Sequence, residues 1–213
     1  MIGTSCKSAK SRFALFGTRV GLMIALALLS SCGDQTRQGQ ASSYLVLTTL
    51  QGASGAKPDT LSSVVSSDVI TVVNGTPTFF ADPGSATFQL ALKDPGSSTS
   101  PNTPTPNNYI TLTQYHVQYK RSDGRNVEGV DVPYAFDGAV TTTVSDTATV
   151  AFTLVRNQAK LEAPLKALAL NTTMVITTIA EVTFYGHDQT GREVSVTGNI
   201  EISFANFGDA STS

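Results

Sequence analysis

Only two histidines occur in the chain, His116 and His187, and together with its many Ser and Asp residues they raise two possible chemistries: a hydrolytic relay and a metal centre. A Ser-His-Asp hydrolase presents its nucleophile on a strained elbow of Gly-x-Ser-x-Gly type, and the sequence has no such motif. A metal centre needs three or four ligands in fixed geometry, and no helical two-His-plus-Glu pattern is present. Each imidazole falls on the outward parity of its strand or at a hairpin end, where a solvated surface histidine is expected. The acids Asp123, Glu128, Asp131 and Asp137 crowd the stretch after Tyr119. Oxygen-rich loops can bind calcium, but this spacing matches no EF-hand, and Asp123-Gly124 and Asp137-Gly138 are ordinary turn chemistry. Lys120, Arg121 and Arg125 form a small basic patch near Tyr115 and Tyr119 that could hold an anionic glycan or a lipid head group. A solvated hairpin tip is the plainer reading of the same residues. No Gly-rich phosphate loop opens a helix after a strand. The expectation is no catalytic residue, no metal ligand and no cofactor, with Lys120, Arg121 and Arg125 as the candidate binding loop.

The most specific pattern is at the start of the chain. Lys7, Lys10, Arg12 and Arg19 precede an apolar run from Val20 to Leu29, which ends at Leu29-Ser30-Ser31-Cys32. About ten apolar residues fall well short of the roughly 20 that a bilayer-spanning helix needs, so the run reads as a signal core. The ending resembles the lipobox of bacterial lipoproteins. That resemblance implies diacylglycerol on the Cys32 thiol, cleavage before Cys32, and palmitate-type acylation of the new amino group. Each buried methylene contributes ~0.8 kcal/mol, and two or more chains hold a protein stably on a membrane. Gly33 follows the Cys and Asp34 comes one place later. By the sorting pattern of enterobacterial lipoproteins, this implies the outer membrane of the cell envelope.

The resulting organisation is a signal peptide over 1–31, a lipidated flexible tether over 32–42, a β-sandwich domain over 43–208 and a disordered tail over 209–213. The tether residues are polar and, fully extended, reach roughly 35 Å. The signal carries four basic residues and no acidic ones. Its removal leaves 182 residues with ten basic against sixteen acidic, a balance of −6. That balance argues against nucleic acid, whose sites need clustered positive charge. With Cys6 removed and Cys32 lipidated, no disulfide is available and the core must hold the domain.

Alternation supplies the elements. Phe88, Leu90 and Leu92 share one face of Thr87–Lys93, and Ala148, Val150, Phe152 and Leu154 share one face of Thr147–Val155. Ala180, Val182 and Phe184 face inward opposite Val194, Val196, Ile200, Ile202 and Phe204. They predict a hairpin through a type I turn at Asp188-Gln189-Thr190-Gly191. The apolar parity switches between Leu112 and Tyr115, which predicts a β-bulge near Thr113 and Gln114 that bends the strand from one sheet towards another. Asn74-Gly75 suits a type I′ hairpin, and Pro77 places its second strand at an edge. Strands are also expected at Tyr44–Leu50 and Val140–Val144. A mobile loop is expected over Asp94–Asn108, and a short crossover helix carries Leu161, Leu165 and Leu168 around Ala163-Pro164.

About nine strands, one short helix and frequent turns are the pattern of an all-β, two-sheet sandwich. The segment from Ile176 to Phe207 resembles the last hairpin of bacterial immunoglobulin-like domains, and the whole chain resembles uncharacterised envelope lipoproteins. These resemblances imply a membrane partner through the lipid anchor and a non-catalytic structural or binding module. The module would meet an envelope protein or glycan through its loops; the pattern is silent on oligomeric state. An accessory lipoprotein of an envelope secretion or assembly complex is the second expectation, and an envelope hydrolase is the third.

Overall fold

The computed structural model describes residues 40–171 and 173–207. The signal, Cys32, nearly all of the tether and the 209–213 tail lie outside the described residues. In chain order the strands are β1 (Ser43–Gly52), β2 (Val64–Asp68), β3 (Thr71–Val73), β4 (Thr76–Thr78), β5 (Asp82–Leu92), β6 (Gly96–Ser97), β7 (Ser100–Pro101), β8 (Ile110–Lys120), β9 (Phe136–Val144), β10 (Thr147–Val155), β11 (Ile176–Asp188) and β12 (Glu193–Ala205). Two short helices, α1 (Asn157–Leu161) and α2 (Leu165–Leu168), link β10 to β11. Eight strands build an all-β sandwich from a three-stranded sheet, β1-β5-β10, and a five-stranded sheet, β2-β12-β11-β8-β9. The pairs β3-β4 and β6-β7 are separate ribbons, so the described residues hold more strands than the nine that alternation suggests.

The alternating faces meet in the middle. Phe88 of β5 and Phe152 of β10 come from one sheet and Phe184 of β11 from the other, with edge-on ring contacts to Phe184 at 4.9 and 5.3 Å. Ala86, Leu90, Leu154, Val117, Val182, Ile202 and Phe204 fill the space around them. Burying each large apolar side chain contributes about 1.5–3 kcal/mol, so these inward faces are the main reason the sheets associate.

The local signals hold in detail. Asn74 and Gly75 both have positive φ, as a type I′ turn requires. The Asp188 carbonyl accepts from Gly191 N–H at 3.0 Å, closing the turn between β11 and β12. Pairing to both neighbours of β8 shifts around Thr113. The bulge does not carry β8 into the other sheet, because β11 and β9 flank it before and after the shift. Its effect is to turn both Leu112 and Tyr115 inward, where the Tyr115 ring meets Phe152 at 5.3 Å. On β9, Gly138 lies so close to that ring that any Cβ would overlap it.

Three further expectations need correction. The Asp94–Asn108 stretch is patterned: it holds the β6-β7 ribbon, Gly96 N–H donates to Asp94 Oδ1 at 3.0 Å, and Asn108 Nδ2 donates to Ser42 Oγ at 2.9 Å. Short polar side chains satisfy backbone groups there without an apolar core. The single helix is two, broken at Glu162-Ala163-Pro164. Leu165 and Leu168 are buried as expected, but Leu161 is exposed and its neighbour Lys160 is fully buried instead. Finally, β5 begins at Asp82 rather than Thr87, because inward parity continues back through Ala86 and Gly84 to a buried carboxyl group.

These elements define two poles. At the near pole the chain enters β1, where Lys93 N–H donates to Ser42 O at 3.3 Å beside the Asp94–Asn108 stretch. At the far pole lie the ends of β8 and β10, the start of β5 and both helices. The eleven residues of β8 separate the two loops at its ends by roughly 35 Å.

Candidate functional site

The basic residues of the candidate binding loop sit at the far pole, and each meets a carboxylate. Lys120 Nζ lies 2.8 Å from Glu181 Oε2 on the neighbouring strand β11. Asp123 is clasped by two guanidinium groups: Arg121 Nε and Nη2 reach its two oxygens at 3.1 and 2.7 Å, and Arg125 Nε reaches Oδ2 at 3.0 Å. The Arg121 hydrogen bonds hold the Asp123 carboxyl well below the usual carboxylate range. The loop therefore presents two cations sharing one carboxylate, a partly compensated fork rather than a bare cationic patch. Tyr115 and Tyr119 lie in the core, away from that surface, and their hydroxyls tie the two sheets together. Tyr119 donates to Leu154 O at 2.8 Å, and Tyr115 accepts from Thr153 N–H at 3.2 Å.

The four acids expected in one segment are dispersed. Asp131 Oδ2 accepts from Val127 N–H at 3.2 Å and so shapes the loop. Asp137, the second residue of β9, pairs across the sheet with His116, Nδ1 to Oδ1 at 2.9 Å, which lowers its carboxyl below the ordinary value. His187 lies exposed four residues along β11 from Thr183, the residue opposite His116. Among the described residues, no group of three or more His, Cys, Asp or Glu side chains has the geometry to hold a metal ion.

Past the fork, the far pole becomes apolar. Val127 and Val130 stand on the connection from β8 to β9, and Leu170, Met174 and Val175 on the connection from α2 to β11. Their exposures run from 53 % for Met174 to 94 % for Leu170, and among the described residues only Tyr44 of the other large apolar side chains falls within that range. Exposed apolar surface of this kind costs solvation, and it is a common feature of interaction sites. Elsewhere, an open groove of about 620 Å³ runs between β1, from Tyr44 to Leu50, and the Val196–Asn199 segment of β12.

Beneath the far pole lies a charged cluster that sequence reasoning missed. Lys160 of α1 and Asp82 of β5 are both fully buried, with Nζ 2.7 Å from Oδ1. Lys160 also donates to Asp68 O at 2.8 Å. Asp82 Oδ1 accepts from Gly55 N–H at 2.7 Å, and its Oδ2 accepts from the Ser67 hydroxyl. Burial pushes the Asp82 carboxyl up, against the opposing pull of Lys160, Ser67 and Gly55. One signal could have found the carboxyl: counting back by twos from Leu90 places Asp82 on the inward face, where a carboxylate needs a cation. Nothing local in the sequence identifies that cation as Lys160.

No family model matches the chain, and no curated protein matches it. It is similar to a solved chain titled "X-ray structure of Northeast Structural Genomics Consortium target SoR45", with 11 % identity and a TM-score of 0.30 over 78 % of this chain and 88 % of that one.

Proposed function

We propose that this chain is a bacterial envelope lipoprotein, anchored through Cys32, whose immunoglobulin-like sandwich is a non-catalytic binding or structural module. One observation carries the reading: among the described residues, five of the six most exposed large apolar side chains, Leu170, Val130, Val127, Val175 and Met174, lie at the pole opposite the one where the chain enters β1, and the sixth is Tyr44 at the near pole. A protein tethered by a short polar segment ahead of β1 turns its near pole towards the bilayer and offers its far pole to the surroundings. The apolar side chains would make the central contact, and the Arg121-Asp123-Arg125 fork would form the polar rim. The immunoglobulin-like description is supported by the way the first strands divide between sheets: β1 pairs in one, and β2 runs parallel to the last strand, β12, in the other.

The test uses the full chain in native membranes. Mass spectrometry of the mature amino terminus is expected to find acylated Cys32, with the outer membrane as the compartment. Photo-crosslinking residues placed at Val130 and Leu170 are expected to label one recurring envelope protein or glycan, whereas the same probe at Thr103 on the near pole is not. An unacylated start removes the anchor. Equal labelling from both poles removes the far-pole interface. A multi-component complex captured through Val130 would identify the module as an accessory subunit of an envelope machine.

A further inference from the structure

We propose that Lys160 and Asp82 condense into an intramolecular isopeptide cross-link, an amide between Nζ and Cγ that staples α1 to β5. The site has the parts such a bond needs. Both partners are fully excluded from water and 2.7 Å apart. An amine nitrogen at that distance from a carboxyl oxygen stands roughly 3.5 Å from the carboxyl carbon, a near-attack separation. The two carboxyl oxygens are differentiated: Oδ1 is held by Gly55 N–H, and Oδ2 carries the Ser67 hydroxyl. The backbone carbonyl of Asp68 aims the amine through a second hydrogen bond. In a dry interior an ion pair is costly relative to its neutral form, so proton transfer from ammonium to carboxylate exposes the nucleophile.

The step balances without any co-reactant. A proton moves from Nζ to the carboxylate, giving an amine and a carboxylic acid. The nitrogen lone pair attacks Cγ and the Nζ–Cγ bond forms. The Cγ–Oδ2 bond breaks, and Oδ2 leaves as water with two protons, one from nitrogen and one that replaces the proton first delivered to Oδ1, relayed by the Ser67 hydroxyl as Oδ1 gives its own up. Oδ1 becomes the amide carbonyl oxygen, still held by Gly55. Ser67 assists departure by donating to the leaving oxygen. Nothing is oxidised or reduced.

The same region removes a competing explanation for a lost water. Asp82 is followed by Pro83, which has no N–H, so the aspartyl side chain cannot cyclise onto the next peptide nitrogen as a succinimide. A cross-link would also supply the covalent restraint that an exported domain without a disulfide otherwise lacks.

Peptide mapping of the full-length protein tests the proposal independently of the anchor. With a cross-link, trypsin does not cut after Lys160, and one branched species joins residues 38–93 to residues 157–166 at a mass one water below the sum of the two. K160R is expected to return residues 38–93 at their linear mass, with tryptic cleavage after position 160 restored. S67A is expected to leave a larger uncondensed fraction than wild type at equal times after purification. Recovery of wild-type residues 38–93 as a linear peptide, with normal cleavage after Lys160 and no branched species, would overturn the proposal even if every variant failed to fold.

Discussion

The far pole carries two groupings of the same charged chemistry, one buried and one exposed, and they behave oppositely. Asp82 and Lys160 are out of water, so each depends on the other and on Gly55, Ser67 and Asp68 O for the hydrogen bonds that solvent would have supplied. Asp123 has two guanidinium partners rather than one ammonium, yet water competes for all three. More contacts therefore mean less energy. An exposed pair gains little over its hydrated state, whereas a broken buried pair leaves a charge with nowhere to go. Burial, not the number of partners, decides which grouping the fold relies on.

The largest effect is expected from separating the buried pair. Against uncondensed wild type, K160M strands the Asp82 carboxyl and should cost about 3–5 kcal/mol in chemical denaturation. The paired variant K160M/D82L should cost less than either single replacement, and additive losses would show that the two groups are independent. Asp188 lies between the extremes. It is buried without an ammonium partner but accepts from Thr190 N–H, the Thr190 hydroxyl and Arg192 N–H through Oδ1. D188A should lose about 1–3 kcal/mol, the cost of leaving turn donors unsatisfied.

Asp188 also fixes the sign of an acid response. Burial pushes its carboxyl up, but the hydrogen bonds from Thr190 and Arg192 outweigh that effect and leave it below its ordinary value. The unfolded chain then takes up the proton first as pH falls. Stability from Asp188 is complete above the unfolded carboxyl's value and is lost as pH drops through the folded one. Unfolding midpoints measured from neutral pH downward should fall less steeply in D188N than in wild type. The smallest effect belongs to the exposed fork, where D123A should leave the denaturation midpoint unchanged. In about 1 M salt, where screening acts within ~3 Å, the Asp123 carboxyl titration followed by NMR should rise towards its ordinary range.

How much the sequence disclosed follows from the range of each interaction. The hairpin of β11 and β12, the Asn74-Gly75 turn and the bulge at Thr113 depend on parity and turn chemistry within a few residues, and all are where alternation puts them. A further bulge, at Thr48 in β1, escaped because Tyr44, Leu45, Val46 and Leu47 make that segment apolar at both parities. The early start of β5 was hidden by Asp82-Pro83-Gly84, residue types that usually end strands. The Asp82–Lys160 pair was out of reach because it joins distant segments, and a lone Lys in a short helix normally signifies solvent. Lys120, Arg121 and Arg125 fall at the end of β8, but their charge balance depends on Asp123 and on Glu181, which only cross-strand pairing brings to Lys120.

The parallel pairing of β2 with β12 constrains how the chain reaches its native state. Val64 waits for Glu201 and Val65 for Ile202, so an early strand cannot be seated until almost the whole domain has been synthesised. Closing so long a loop before any contact rewards it makes assembly slow and late. A ribosome-bound fragment lacking β12 would keep the edges of β11 and β2 open.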